Sequence, residues 1–325
     1  VKLAIVGLGS IGRRHLGNFR TVGVEHLTAW DVAGAAREAA TRQFPFATVT
    51  ATLEEALDGV DGVVVCTPPD SHLALAKLGL ERGAHLMIEK PLTPSSDGVA
   101  DVLKACDAKG VRVLTAYNWR YWPPMLLVVK LLADGRIGTV RTARTEYAYH
   151  IATRYADYRR SYMADAAQGG GCLLDESHAL DYMRWLCGEA SEVMAVVDRI
   201  STLEMTTDDV ADLTVRFASG VLGNIHMNLF AWNMHGHFEL LGDDGAIQWR
   251  RFENEVRVFD PKLTRWEVYP FTCQLNDMYV EEARHFVACV RGEAEPRCDG
   301  WDGLKTIELV EAARRSAAAR QWVRV

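Results

Sequence analysis

The chain has 325 residues, 49% of them hydrophobic and 24% charged, with a formal net charge of −7. That composition excludes a disordered or fibrous class, and the acidic balance argues against a nucleic-acid or anionic-membrane surface, which needs a basic excess. The length predicts two domains. Seven cysteines, at 66, 106, 172, 187, 273, 289 and 298, include no C-x-x-C pair and are odd in number, which predicts reduced thiols and a cytoplasmic protein. No apolar stretch reaches the length of a membrane span, and the first residues read as a folding strand instead of a signal peptide.

Lys2-Leu3-Ala4-Ile5-Val6 has the pattern of a short buried strand and runs straight into Gly7-Leu8-Gly9-Ser10-Ile11-Gly12 and a helical stretch from Arg13. Strand, glycine loop and helix in this order are the context in which G-x-G-x-x-G means dinucleotide binding. The first glycine permits the tight turn, the second lets a pyrophosphate approach the backbone, and the third lets the helix pack closely. A second strand, His26 to Trp30, ends in Asp31, nineteen residues after Gly12. An acid there accepts hydrogen bonds from the ribose hydroxyls and repels a 2′-phosphate, so NAD is expected over NADP. Arg37, six residues on, is either a cation that meets such a phosphate or, in the favoured reading, a solvated helix residue.

Alternation continues through a helix near 33–43, a short strand near 47–49, the strand Gly62 to Cys66 ending in Thr67-Pro68, and a helix over 72–82. His85 to Ile88 is the next buried strand, and it breaks off at Glu89-Lys90-Pro91. Strand ends of a doubly wound sheet face the ligand crevice, so Lys90 emerges beside the cofactor, on a backbone stiffened by the proline. A solvated strand-end turn is the alternative. A helix at 95–109 and the strand Val111 to Thr115 complete about six parallel strands, making residues 1–120 a Rossmann-type α/β domain.

Tyr117 to Trp122 leads through Pro123-Pro124 into a second domain, 121–325, which opens with a helix at 125–134. From Thr139 the period becomes two, with strands expected at 139–149, 191–200, 210–217, 221–230, 237–241, 246–250, 255–259 and 264–269. Consecutive strands on short turns imply a large open, mainly antiparallel sheet with helices on one face, an α+β arrangement. The chain closes with a helix from Leu304 to Ala319.

Gly169-Gly170-Gly171 leads into a helix on which Asp175, His178 and Asp181 recur every three residues, opposite an apolar stripe of Ala179, Met183 and Leu186. A histidine flanked by acids is either one part of a solvated face or a tuned acid/base at neutral pH, and the glycines allow a ligand close approach. His226, His235 and His237 lack an acid or cysteine at ligand spacing, so no metal is expected.

Gly7 to Gly12, Thr67-Pro68, Glu89-Lys90-Pro91, Tyr117-Asn118-Trp119-Arg120, Gly169 to Gly171 with Asp175 and His178, and Asp302-Gly303-Leu304-Lys305 together resemble the glucose–fructose oxidoreductase and inositol dehydrogenase (Gfo/Idh/MocA) family over nearly the whole chain. The resemblance implies a Rossmann domain followed by a domain whose sheet makes the interface of a homodimer or homotetramer. It implies hydride transfer between NAD and a secondary alcohol of a sugar, cyclitol or sugar derivative, without nucleic-acid or membrane partners. By position, Lys90 matches the lysine that contacts substrate and nicotinamide, His178 the acid/base, and Asp175 the acid preceding it. The family spacing puts that acid four residues before the histidine; here it is three.

Cofactor contacts are therefore expected from Gly7, Gly9, Ser10, Ile11, Gly12, Asp31, Thr67, Pro68, Glu89 and Lys90. Substrate contacts are expected from Lys90, Asn118, Arg120, Tyr149, Tyr158, Arg159, Asp175 and His178, with Tyr155, Arg160, Asn228 and Trp232 as further cleft residues. An acidic group on the substrate could be met by Arg159 or Arg160. An NAD-dependent glycosidase, which oxidises its sugar transiently, and a non-catalytic NAD-binding regulator are the alternatives.

Overall fold

The computed structural model describes residues 1–325 apart from the side chain of Ala167. The chain forms two compact units, Val1–Asn118 with Leu275–Leu304, and Trp119–Gln274 with Lys305–Val325. The first crossing lies two residues before the expected boundary at 120. The return of Leu275–Leu304 to the first unit departs from the expected simple division.

In the first unit β1 (Lys2–Val6), α1 (Ser10–Thr21), β2 (His26–Trp30), α2 (Gly34–Gln43), β3 (Thr48–Val49), α3 (Leu53–Ala56), β4 (Gly62–Val65), α4 (His72–Glu81), β5 (His85–Ile88), α5 (Val99–Ala108) and β6 (Val113–Thr115) alternate. Their sheet is parallel with order β3-β2-β1-β4-β5-β6, so the order reverses beside β1, at the loop that follows it. Val63, Val64 and Val65 are buried together because helices cover both faces of such a sheet, which is why β4 reads as an unbroken apolar run.

Beyond the sequence expectation stands a helix of the first unit near its end, Asp277–Val290, here α10. Its Ala283, Phe286 and Val287 join Phe19, Leu27, Met87 and Leu114 in one core. Their burial explains why this segment returns to the first unit.

The second unit runs α6 (Pro123–Ala133), β7 (Val140–His150), α7 (Ile151–Arg154), α8 (Cys172–Asp175), α9 (His178–Cys187), β8 (Ala190–Asp198), β9 (Val210–Phe217), β10 (Leu222–Asn228), β11 (Phe230–Gly242), β12 (Gly245–Arg250), β13 (Glu255–Asp260) and β14 (Arg265–Pro270). The last helix, α11 (Gly300–Ala319), starts in the first unit and continues in the second, and β15 (Val323–Arg324) ends the chain. Nine strands form one sheet, β14-β13-β12-β11-β7-β10-β9-β8-β15. It is antiparallel except where β10 lies parallel to β7. β11 begins at Phe230, well before the expected 237, because a register shift between Phe230 and His235 interrupts its alternation. Along β9, Ala211, Leu213, Val215 and Phe217 face the core and alternate with more exposed residues.

Among the described residues no helix is long and apolar enough to cross a membrane. All seven cysteines are free thiols.

Candidate active site

The glycine loop of the first unit is shaped by what a side chain would hit. Gly7 has φ +96°, and a Cβ there would meet the Cys66 carbonyl carbon and oxygen at 2.7 Å; one on Gly12 would come to 1.8 Å from the Gly7 carbonyl oxygen. A Cβ on Gly9 would meet nothing within 4 Å, so the loop is closed against the protein and open at its tip. Gly9 caps α1 without a side-chain hydrogen bond, leaving the first amides of the helix, from Ser10 and Ile11 on, to a ligand anion. This cradle fits a dinucleotide pyrophosphate.

Asp31 sits at the end of β2 against the same loop. Its carboxylate accepts from the Leu8 amide at 2.6 Å and the Ala33 amide at 2.8 Å. Arg37 donates to the carbonyl oxygens of Asp31 at 2.6 Å and Val32 at 3.2 Å, which holds its guanidinium on backbone.

At the end of β4, Thr67 Oγ1 and Ser71 Oγ share a hydrogen bond of 2.6 Å. His72, which the sequence reading passed over, spans Thr67 O at 2.8 Å and Pro91 O at 3.1 Å, tying the loop after Thr67-Pro68 to the one after β5. Burial lowers its pKa despite the carbonyls around it, so the neutral ring donates its single N–H to one of these carbonyls and packs its other nitrogen against the second. Glu89 is buried; Oε1 pairs with His15 Nε2 at 2.8 Å and Oε2 accepts from the Lys90 amide at 3.1 Å. The Glu89 carboxylate thus fixes the backbone from which the half-buried Lys90 extends, before a cis Lys90–Pro91 bond. Asn118 is also buried in this unit.

In the second unit His178 opens α9, and its ring stacks on Trp119 with centroids 5.1 Å apart and planes 9° apart. Tyr182, one turn later, stacks on the same indole at 5.5 Å. The expected continuous helix through Asp175 and His178 is instead two pieces: α8 ends at Asp175, and Glu176 and Ser177 form the turn into α9. This break brings both acids inside. Asp175 is 5% exposed and accepts from the Tyr162 hydroxyl; Glu176 is 3% exposed and lies 4.0 Å from Arg154, whose guanidinium sits 5.0 Å from the Tyr149 ring centre. Burial, then the nearby Glu176 and Asp175 charges, push the Tyr149 hydroxyl pKa well up, so it stays protonated beside the acids.

Other expected site residues lie elsewhere or are engaged. Arg120 and Asp181 form a buried ion pair, so Asp181 belongs to no solvated face. Tyr158 accepts from the Glu204 amide at 3.0 Å and Arg159 pairs with Glu204 at 2.8 Å, fastening their loop to its neighbour. Arg160 lies 3.8 Å from Asp157 with its side chain 85% exposed, and Tyr155 is exposed. Asn228 bonds His226 at 3.1 Å, and Trp232 stacks on His150 at 3.9 Å. His235 and His237 both approach Glu146, at 2.8 and 4.0 Å. Glu146 comes from β7, too far along the chain for spacing to reveal. Gly170 and Gly171 are closed in by the protein itself: a Cβ would come to 2.2 Å from Tyr162 O and 2.4 Å from Asp208 Oδ1, respectively.

The glycine loop of the first unit, open at its tip and led into by β1, defines an NAD-binding Rossmann domain. Residues 1–117 match the model of the oxidoreductase family with an NAD-binding Rossmann fold, and residues 125–248 match the GFO/IDH/MocA C-terminal domain. The chain belongs to the GFO/IDH/MocA oxidoreductase family. It is 27% identical to a D-apiose dehydrogenase of Paraburkholderia graminis, over 97% of this chain and 87% of that one. It is 26% identical to an inositol 2-dehydrogenase of Rhizobium meliloti, over 100% and 99%. Its fold is that of a levoglucosan dehydrogenase solved with NADH and levoglucosan, with a TM-score of 0.91 at 22% identity, covering 100% of this chain and 99% of that one.

Proposed function

We propose that this chain is an NAD-dependent dehydrogenase acting on a secondary alcohol of a sugar, cyclitol or sugar derivative. The observation that carries the reading is Lys90 at the carboxyl end of β5, its amide held by Glu89. Relatives named for the oxidation of apiose and inositol support the substrate class.

Bound NAD supplies the hydride acceptor, or in reduced form the donor. In oxidation His178 takes the hydroxyl proton on an imidazole nitrogen, and in reduction it returns that proton to the oxygen. Lys90 orients the reacting oxygen with its ammonium group. Asp175, oriented by Tyr162, favours the imidazolium that forms on His178. Trp119 holds the imidazole plane by stacking.

The same reading expects a cytoplasmic homodimer or homotetramer joined through the open face of the nine-stranded sheet. Val196, Leu222 and Leu241 are exposed on that face. Light scattering that finds only monomer contradicts this part.

Lys90→Met tests the central assignment. NAD binding should persist while turnover falls about a hundredfold or more, the scale of losing a positioned catalytic group. Near-normal turnover in the folded variant reduces Lys90 to a strand-end turn.

A further inference from the structure

We propose that Arg251 binds a carboxylate of the substrate, which narrows the substrate class of the reaction proposed above to sugar acids. The reaction chemistry rests on that reading; the binding assignment rests on the surroundings of Arg251.

Arg251 follows β12, and its amide donates to the Gly236 carbonyl of β11 at 2.9 Å. Its side chain lies on the helix-covered face of the sheet, two residues beyond the buried Trp249. The guanidinium carbon is 4.9 Å from the ring centre of Trp119, 5.1 Å from Tyr147 and 5.6 Å from Trp122, and the group donates to the Tyr147 hydroxyl. Gly236 makes the room: a Cβ there would come to 2.8 Å from the Tyr147 ring and 3.4 Å from Arg251 Cδ.

Arginines of this unit are otherwise mostly matched to acids. Arg120 pairs with Asp181, Arg141 with Asp243, Arg184 with Glu189 and Arg257 with Glu255, all at 2.8 Å or less. No described carboxylate lies within ion-pairing distance of half-buried Arg251. Aromatic faces offset part of the cost of withdrawing a guanidinium from water, but they accept none of its five N–H donors in the plane of the fork. The Tyr147 oxygen accepts one. A carboxylate matches what remains, because it takes two parallel N–H bonds from that planar fork.

Tyr147 and Tyr149 are alternate residues on one face of β7, about 7 Å apart along the strand. The first holds Arg251 and the second lies against Glu176 and Asp175. His178 stacks on the Trp119 ring that Arg251 also covers. A ring bearing an exocyclic carboxylate can therefore place its charge at Arg251 and a hydroxyl toward His178.

Calorimetric titration with NAD present tests the assignment, using D-glucuronate against D-glucose, D-galacturonate against D-galactose, and D-glucose 6-phosphate as a second anion. Wild-type protein should bind at least one uronate about tenfold or more tighter than its neutral parent, the scale of a charge-assisted hydrogen-bonded pair. Arg251→Gln should lose that preference and Arg251→Lys should keep part of it, with circular dichroism showing all three folded. Absence of a preference in wild-type protein, or a preference unchanged in folded Arg251→Gln, overturns the proposal. Tighter binding of the sugar phosphate than of either uronate overturns the carboxylate assignment. Because the readout is binding, absence of turnover with Arg251-dependent uronate binding removes the dehydrogenase reading alone. Turnover of neutral sugars without uronate preference removes this inference alone.

Discussion

Arg120 grips the carboxylate of Asp181 through two hydrogen bonds, Nη2 to Oδ1 at 2.7 Å and Nε to Oδ2 at 3.0 Å, with both side chains almost wholly out of solvent. The pair lies between the segment that opens the second unit and α9, so it positions the helix that carries His178 rather than offering a cation to substrate. Removing one partner strands a buried charge. Asp181→Ala should therefore cost about 3–5 kcal/mol in urea unfolding. A loss below about 1 kcal/mol contradicts the pair's structural role.

Glu282 on α10 is fully buried, and neither carboxyl oxygen has a hydrogen-bond partner among the described residues. Burial, reinforced by the negative charge of Glu89, raises its pKa well above the ordinary carboxyl value. An acid whose folded pKa lies above its unfolded one keeps a proton that unfolding releases, so stability falls as pH rises above the unfolded value. The slope for one proton is about 1.4 kcal/mol per pH unit. Glu282→Gln should flatten this part of the stability profile between pH 5 and 8 and make the protein more stable at pH 8. An unchanged profile contradicts the assignment.

Asp31 closes the glycine loop through the Leu8 amide, and Arg37 is held on the carbonyls of Asp31 and Val32. The ribose position therefore presents a carboxylate with no mobile cation to answer a 2′-phosphate. Binding of NADP should be about tenfold or more weaker than that of NAD, and Arg37→Ala should leave the ratio within about threefold. Equal affinities in a fluorescence titration contradict the account.

Asp175 and Glu176 are both buried where the helix breaks between α8 and α9, three and two residues before His178. Losing a nearby anion lowers an imidazole pKa. Asp175→Asn should lower turnover about tenfold or more and move the acid limb of the oxidation profile to lower pH. Glu176→Gln should move the limb the same way. An immobile limb in both variants removes the carboxylates from the proton-transfer step.

The parts legible in the sequence were those whose meaning is local. Gly7 to Gly12 could be read because its strand and helix flank it within a few residues, and Asp31 because its place is fixed by counting along two strands. Helix α10 was missed although Ala283, Phe286, Val287 and Val290 carry a helical apolar spacing. The Arg120–Asp181 pair spans 61 positions and leaves no pattern in either segment. The break after Asp175 is set by packing: the Cys172 and Leu173 amides bond the Asp208 carbonyl and carboxylate at 2.9 and 2.7 Å, fixing α8 against a residue that its own sequence does not reveal. Arg251 is one cation in a turn; only the folded sheet shows its aromatic surroundings and its lack of an acid.

The most direct test of the central claim is to incubate the purified protein with NAD and a panel of sugars, inositols and sugar acids, following absorbance at the reduced-nicotinamide band and identifying the product. The account predicts reduced nicotinamide formed in step with a ketone or lactone product, and lost in Lys90→Met. Tight NAD binding without reduction on any member of the panel, or release of an aglycone from a glycoside with no net reduced nicotinamide, contradicts it.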